Sequence, residues 1–234
     1  AQQGAKVILM ARNEEMLEKR TASLPSPNGA EHAYQVADFS SNEQVRTAIS
    51  RLTEKESVHI LINNTGGPPP GPAHQAEADA FLTAFRNHLI NNQILAQHCL
   101  SGMKDAGFGR IVNVISTSVK IPLKGLGVSN TVRGAVASWS KTLANELGSF
   151  GITVNNVLPG ATETERLSQI IQNKAAKTGK SEEEVTQSML ADIPAGRFGK
   201  PEELGATIGF LCSPAAAYIN GVSIPVDGGR TGSF

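Results

Sequence analysis

The sequence predicts an α/β fold: a doubly wound parallel sheet in a single domain. Three observations carry that prediction. Short runs of aliphatic and β-branched residues alternate along the chain with stretches whose apolar residues recur at helical spacing. The stretch that begins at Gly109 shows the pairing best. Ile111, Val112, Val114 and Ile115 suit a strand covered on both faces, and Val132, Val136, Trp139, Leu143 and Leu147 follow at the period of a helix. The strand runs also stop at small or polar residues, namely Ser116-Thr117-Ser118, Asn63-Asn64-Thr65-Gly66-Gly67, Pro159-Gly160 and Asp227-Gly228-Gly229. Ligands of open α/β sheets sit outside the carboxyl ends of the strands. Ser116 and the helix face carrying Ser129 and Arg133 are therefore expected to look into one crevice.

The elements read as follows in chain order. Residues 1–5 look like the end of a helix closed by Gly4, and a strand over 6–11 follows at once. Asn13 caps a helix to about residue 24, with Glu14 and Glu15 in its first turn, where negative charge suits the helix dipole. A loop with two prolines leads to a strand over 33–37 that ends at Asp38. Ser41 caps the next helix, to about residue 55, with Gln44 as its capping-box partner. A strand over 58–62 enters the Asn-Asn-Thr-Gly-Gly run. The proline-stiffened loop 68–72 then either walls a pocket or is a rigid surface loop. Residues 76–104 read as one or two helices, and 153–158 as a strand. Residues 162–190 form a polar helical stretch whose Glu182-Glu183-Glu184 run is a solvated face. A helix begins at Pro201 and runs to about residue 213, and a last strand covers 223–226.

Composition narrows the function classes. A chain of 234 residues suits one domain with a small lid, expected over 162–194. The formal net charge is zero and aromatics are 5%, which argues against nucleic-acid binding. The sequence has neither a run of about eighteen apolar residues nor a basic-then-apolar leader, so the expectation is a soluble cytoplasmic protein without membrane partners. Cys99 and Cys212 sit in apolar, helix-like contexts. They are expected to be buried free thiols in a reducing compartment rather than a disulfide or metal pair, and no metal site is expected.

Taken together, residues 4–229 resemble the short-chain dehydrogenase/reductase family, in particular its 3-oxoacyl-carrier-protein reductases. The motifs that carry the resemblance are the Ser116 strand end, Asn63 to Gly66, residues 153–160, residues 196–203 and the tail from Asn220 to Gly229. The resemblance implies hydride transfer between a nicotinamide and a carbonyl or alcohol carbon of a small molecule, and a homotetramer or homodimer. It implies NADP(H) rather than NAD(H), because the usual acid after the family's second strand, which 6–11 resembles, reads Ala11, and Arg12 offers a planar fork for a 2′-phosphate. Asp38 would meet the adenine. Asn64, Thr65 and Gly66 would approach the ribose, with Thr65 replacing the family's Ala. Pro159, Gly160, Thr162 and Thr164 would hold the nicotinamide carboxamide.

The catalytic positions depart from the family. Ser116 fits its Ser, but Tyr-x-x-x-Lys reads Ser129 and Arg133, and His88 falls where the family carries an Asn, with Asn91 and Asn92 a turn later. An aliphatic hydroxyl is a far weaker acid than a phenol, whose pKa is about 10. Arg stays protonated and relays no proton, and Tyr34 and Tyr218 lie in motif contexts far from this helix face. The leading expectation is an altered site. Ser116 and Arg133, the latter also toward the ribose, polarise the carbonyl, while water held by Ser129 or His88 delivers the proton; a His there either holds such a relay water or titrates near neutral pH. The alternatives are an inactive nucleotide-binding relative, acting as sensor or partner subunit, and a piece that binds no cofactor. The family's first strand and Gly-rich turn would lie before residue 1. Neither is in this sequence, and a fragment of a longer product is expected rather than a variant lacking the phosphate cradle.

Overall fold

The computed structural model describes residues 1–233. Gly4 adopts φ 85° and closes a turn through its N–H to Ala1 O at 2.7 Å. The strand β1 (Ile8–Ala11) starts later than expected, because Val7 N donates to the His32 ring at 3.0 Å. The helix α1 (Glu14–Ala22) opens with Asn13 Oδ1 accepting from Met16 N at 3.0 Å. The strand β2 (Ala33–Val36) lies parallel to β1. Ser41 Oγ caps α2 (Asn42–Thr53), but the expected capping box does not form. Ser41 N already closes the turn on Asp38 O at 2.9 Å, and Gln44 Oε1 accepts from Asp38 N at 3.0 Å instead.

The strand β3 (Ile60–Asn63) begins where Arg110 N reaches His59 O, two residues later than expected. The helical stretch after it is α3 (Ala78–Phe85) and α4 (Asn91–Asp105), joined by a π-helical turn over Arg86–Ile90. The central pair is β4 (Gly109–Val114) and α5 (Gly127–Leu147). Then come β5 (Ile152–Pro159), α6 (Glu165–Thr178), α7 (Glu182–Ala191), α8 (Pro201–Cys212) and β6 (Ser223–Val226). The single polar helix expected over 162–190 is thus two. Gly179 at φ 68° ends α6, and Ser181 with Glu184 forms a capping box that starts α7, so Glu184 is a cap rather than a purely solvated residue.

Every ladder is parallel, as the doubly wound reading requires, but the sheet is in two hydrogen-bonded pieces, β1–β2 and β3–β4–β5–β6. Both pieces share one core. Ile8 and Met10 pack on the cluster that holds Val45, Ile49, Leu61, Met103, Ile111 and Val154. The other face of the sheet buries Val112 and Val157 against Leu211 and Cys212 of α8. β1 and β3 do not pair, and Ile62, in the middle of β3, is 47% exposed where a central strand would be covered. Cys99 and Cys212 are buried and free, and burial pushes their thiols up to about 12 and about 11. No helix among the described residues is long and apolar enough to cross a membrane.

The four-stranded piece is cross-linked by side chains near its carboxyl end. Asn63 Nδ2 donates to Asn113 Oδ1 at 2.8 Å, Asn113 Nδ2 to Asn156 Oδ1 at 3.1 Å, and Asn156 Nδ2 to Ser223 Oγ at 3.1 Å. These residues are register partners, so the amides form one row across β3, β4, β5 and β6. The next residue, Asn155, bonds Ile219 O and Val222 N and ties the turn before β6 to β5. Asn113→Ala leaves one amide donor and one acceptor buried without partners. It is expected to cost about 2–4 kcal/mol, read as a lower denaturant midpoint at unchanged slope.

Candidate active site

Arg133 comes from the middle of the α5 face that packs on the sheet. The preceding Val132 and Val136 one turn on are fully buried, so the guanidinium is carried under the strand ends and is only 7% exposed. Nη1 donates to Val114 O at 3.2 Å, and Nη2 to Thr65 O at 3.2 Å. Burial, then the nearby Arg166, holds its pKa down to about 10, so it remains a cation at neutral pH. Among the described residues it has no carboxylate partner; the ion pairs lie elsewhere, at Lys6–Glu56, Arg197–Glu203 and Arg230–Asp192.

Ser116 follows β4 in extended conformation, half-buried, and caps the short turn Thr117–Val119 by accepting from Ser118 N at 3.1 Å. The hydroxyl hydrogen is left for another acceptor. Ser129 is half-buried in the first turn of α5. The proline loop is held against that turn: Gly71 N donates to Gly125 O at 2.7 Å, Gly127 N to Gly71 O at 2.9 Å, and Gly127 packs so closely on Ala73 that no side chain fits. The loop therefore borders the Ser129 end of the crevice.

His88 lies in the π-helical turn, 3% exposed, with Nδ1 2.7 Å from Thr65 Oγ1. Such turns occur often at functional sites. Its pKa is lowered to about 4, first by burial and then by Arg133 and Arg166, so the expectation that it titrates near neutral pH is overturned. Asn91 does not stand in for a catalytic amide. Its side chain is spent on Phe39 O at 2.7 Å, Asn87 O at 3.2 Å and Asn42 Nδ2 at 2.6 Å.

One residue was missed by sequence reasoning. Arg166, in the first turn of α6, reaches back over Gly67: a Cβ at Gly67 would lie 3.1 Å from Arg166 Nη2 and 3.6 Å from Arg133 Nη2. Its only sequence signal is its place two residues after Thr164. Tyr34 sits in β2, and Tyr218 is fully exposed in the turn before β6, so neither phenol is brought to Ser129.

The strand ends place the other predicted residues in two groups. Arg12 is exposed after β1 and close enough to Asp38 to help lower its pKa. The larger cause is the Ser40 N–H, which donates to Asp38 Oδ1 at 2.8 Å, so Asp38 does initiate a turn. At the other end, Asn64 and Gly66 are exposed beside Thr65, and nothing lies within 4 Å of a Cβ built on Gly66. Pro159 ends β5. Gly160 packs where a Cβ would strike Asp227, Thr162 Oγ1 donates to Gly160 O at 3.3 Å, and Thr164 caps α6. A cavity of about 360 Å³ lined by Glu163, Thr164, Leu167, Ser168, Ile171 and Phe198 adjoins this turn.

These features fit the two ends of a nicotinamide dinucleotide. Among the described residues Arg12 has no hydrogen-bond or ion-pair partner, Gly66 leaves room for close approach, and Asn63 Oδ1 is buried without a donor. Between them run the free edges of β1 and β3, with no glycine-rich turn opening a helix there among the described residues.

Comparison with known proteins shows which chains this one resembles. The family model described as enoyl-(acyl carrier protein) reductase matches residues 1–231. A 3-oxoacyl-[acyl-carrier-protein] reductase of Vibrio cholerae is 32% identical over 229 residues, 98% of this chain and 88% of that protein. An NADPH-dependent reductase of Bacillus subtilis is 26% identical over 236 residues, 100% of this chain and 91% of that protein. The crystal structure of L-sorbose reductase from Gluconobacter frateurii, complexed with NADPH and L-sorbose, superposes with a TM-score of 0.91 at 27% identity. That match covers 99% of this chain and 89% of the other.

The depressed pKa of His88 has a consequence for stability. Between about pH 6.5 and about pH 4 the unfolded chain binds a proton that the folded chain refuses. The contribution is therefore complete above pH 6.5 and is lost as pH falls toward 4. Lowering the pH from 7 to 4.5 is expected to destabilise the wild-type chain by roughly 2 kcal/mol more than His88→Gln, measured by denaturant titration of both. Equal losses would contradict the assignment.

Proposed function

The chain belongs to the short-chain dehydrogenase/reductase family, and from that premise we propose that it is an NADP(H)-dependent oxidoreductase interconverting a small-molecule carbonyl and alcohol through a non-standard site. The observation that carries this reading is the buried Arg133 cation, bonded to two carbonyl oxygens at the carboxyl ends of β3 and β4, one turn from Ser129. A permanent charge fixed in a low-dielectric crevice stabilises a developing alkoxide without reorganising. NADP(H) is supported by the free Arg12 fork and by the names of the Bacillus and Gluconobacter relatives. The nicotinamide, when bound, supplies or accepts the hydride.

The chain's own residues divide the remaining work. Arg12 takes the 2′-phosphate, Asp38 borders the adenine, and Asn64, Thr65 and Gly66 approach the ribose, with Arg133 close by. Gly160, Thr162 and Thr164, turned by Pro159, hold the carboxamide. Ser116, whose oxygen already accepts from Ser118 N, donates its hydrogen to the carbonyl oxygen. Water held at Ser129 delivers the proton. His88, neutral and bonded to Thr65, positions that loop rather than titrating. The helices α6 and α7, packed on each other through Leu167, Ile171, Ala175 and Val185, act as the lid within residues 162–194. The two buried thiols support a cytoplasmic setting, and exposed Phe150, Tyr218 and Val222 support assembly as a homodimer or homotetramer. An inactive, nucleotide-sensing relative is the second reading, favoured by the lack of any phenol near Ser129.

Calorimetry should find micromolar NADPH binding, with Arg12→Ala weakening NADPH about tenfold and leaving NADH unchanged, since a charge-assisted contact is worth about 1.5–3 kcal/mol. Equal weakening of both cofactors would remove the 2′-phosphate role. Ser116→Ala should lower kcat about 100-fold at unchanged NADPH affinity. The double change Ser129→Tyr, Arg133→Lys should lower turnover of an adapted site. A rise from an undetectable rate would instead favour the sensor reading.

A further inference from the structure

Arg133 and Arg166 arrive from different elements, α5 and the start of α6, and converge on one glycine. A Cβ at Gly67 would meet Arg166 Nη2 at 3.1 Å, Arg133 Nη2 at 3.6 Å and Arg166 Nη1 at 3.7 Å. Two like charges this close repel, and nothing acidic among the described residues offsets them. Asp and Glu are otherwise as numerous as Lys and Arg in this chain, 21 of each, so the lack of a partner here is local rather than compositional.

The hydrogen-bond count points the same way. A guanidinium has five N–H donors. Arg133 spends one on Val114 O and one on Thr65 O, both neutral acceptors, while it is 93% buried by the exposure of only 7%. Arg166 spends none on any described residue, although its tip rests on Gly67. Burying an unpaired charge is costly unless a counter-charge arrives. Gly66 leaves open space beside this pair, and Gly67 lets the guanidinium groups close on the backbone. The place is the end of β3 next to the end of β4, beside Ser116 and on the nicotinamide side of the crevice. Arg12, the residue that suits a cofactor phosphate, lies beyond the free edges of β1 and β3.

We propose that Arg133 and Arg166 form a carboxylate-binding site over Gly67, so that the substrate is a carbonyl compound bearing an acid group, a keto acid or its hydroxy-acid counterpart. This rests on the oxidoreductase reading and names the substrate class of that same site. Two planar forks match the two oxygens of a carboxylate, and Arg166 travels with the lid helix, so acid recognition is coupled to the lid. Acyl thioesters and neutral ketones lack the group that the pair selects. The cofactor diphosphate is the competing source of negative charge.

The test is a calorimetric titration of the full chain, with and without NADPH, using pyruvate, acetoacetate and levulinate, each against its methyl ester. These acids place the carbonyl at increasing distance from the carboxylate. The expected result is that at least one acid binds tenfold or more tighter than its ester. Arg166→Ala abolishes that difference without changing ester affinity, and Arg166→Lys restores part of it. Arg166 is exposed, so the variants should fold as the parent does. Equal affinity for acids and esters overturns the proposal. So does an acid–ester ratio unchanged by Arg166→Ala, or a loss that falls on NADPH instead, which would assign the pair to the diphosphate. The same titrations judge the underlying reading separately. Acid selectivity without NADPH binding overturns the dinucleotide assignment and leaves the carboxylate site standing, whereas NADPH binding without selectivity overturns only the site.

Discussion

Four strands are locked together by a single row of side-chain amides. Asn63, Asn113, Asn156 and Ser223 are opposite one another in the ladders, and each donates to the next. A slip of one residue in any strand would turn its amide to the other face and bury an unpaired polar group. The row therefore fixes register at the last pair of β3–β4, the last but one of β4–β5 and the first of β5–β6. The proposed site residues follow immediately: Thr65 two residues past the row after β3, Ser116 three past it after β4, and Pro159-Gly160 at the end of β5. The donors all run toward β6, which leaves Asn63 Oδ1 without a donor on the free edge of β3.

That edge and the amide row together explain how the site is divided. The proposed substrate side hangs on the four-stranded piece, held by Arg133 as it bonds the chain just past β3 to the end of β4. The Arg12 and Asp38 side hangs on the β1–β2 pair. The two pieces are joined by a shared core, with Met10 on the same cluster as Leu61, rather than by strand hydrogen bonds. Electrostatics sharpen the division. Arg133 and Arg166 make the crevice over Gly67 strongly cationic, and this, added to burial, is what keeps His88 neutral.

Much of this was legible in the sequence, for identifiable reasons. Aliphatic runs and helical spacing gave the order of elements, and Asn13 and Ser41 marked helix starts because caps act within a few residues of chain, whereas Gly4 closes a turn and not the helix end it resembled. Gln44 shows the limit. As a residue it was a sound capping-box partner, but the Asp38 turn had already used the Ser41 N–H. Residues 162–190 read as one helix because polar residues predominate along the whole stretch, while Gly179 and Ser181 break it within three residues. His88 read as a candidate titrating group because a sequence shows a side chain's intrinsic pKa and not its desolvation.

The sequence by itself determined the parallel α/β architecture, the family resemblance, and the departures at Ser129, Arg133 and His88, since these depend on residue identity and on spacing along the chain. The tertiary structure alone decided that Arg133 is buried with no acid beside it among the described residues and that Arg166 joins it over Gly67. It also decided that His88 is held neutral and that the sheet is in two hydrogen-bonded pieces. Charge environment and strand pairing are set by residues far apart in sequence, and only folding brings those residues within a few ångströms of one another.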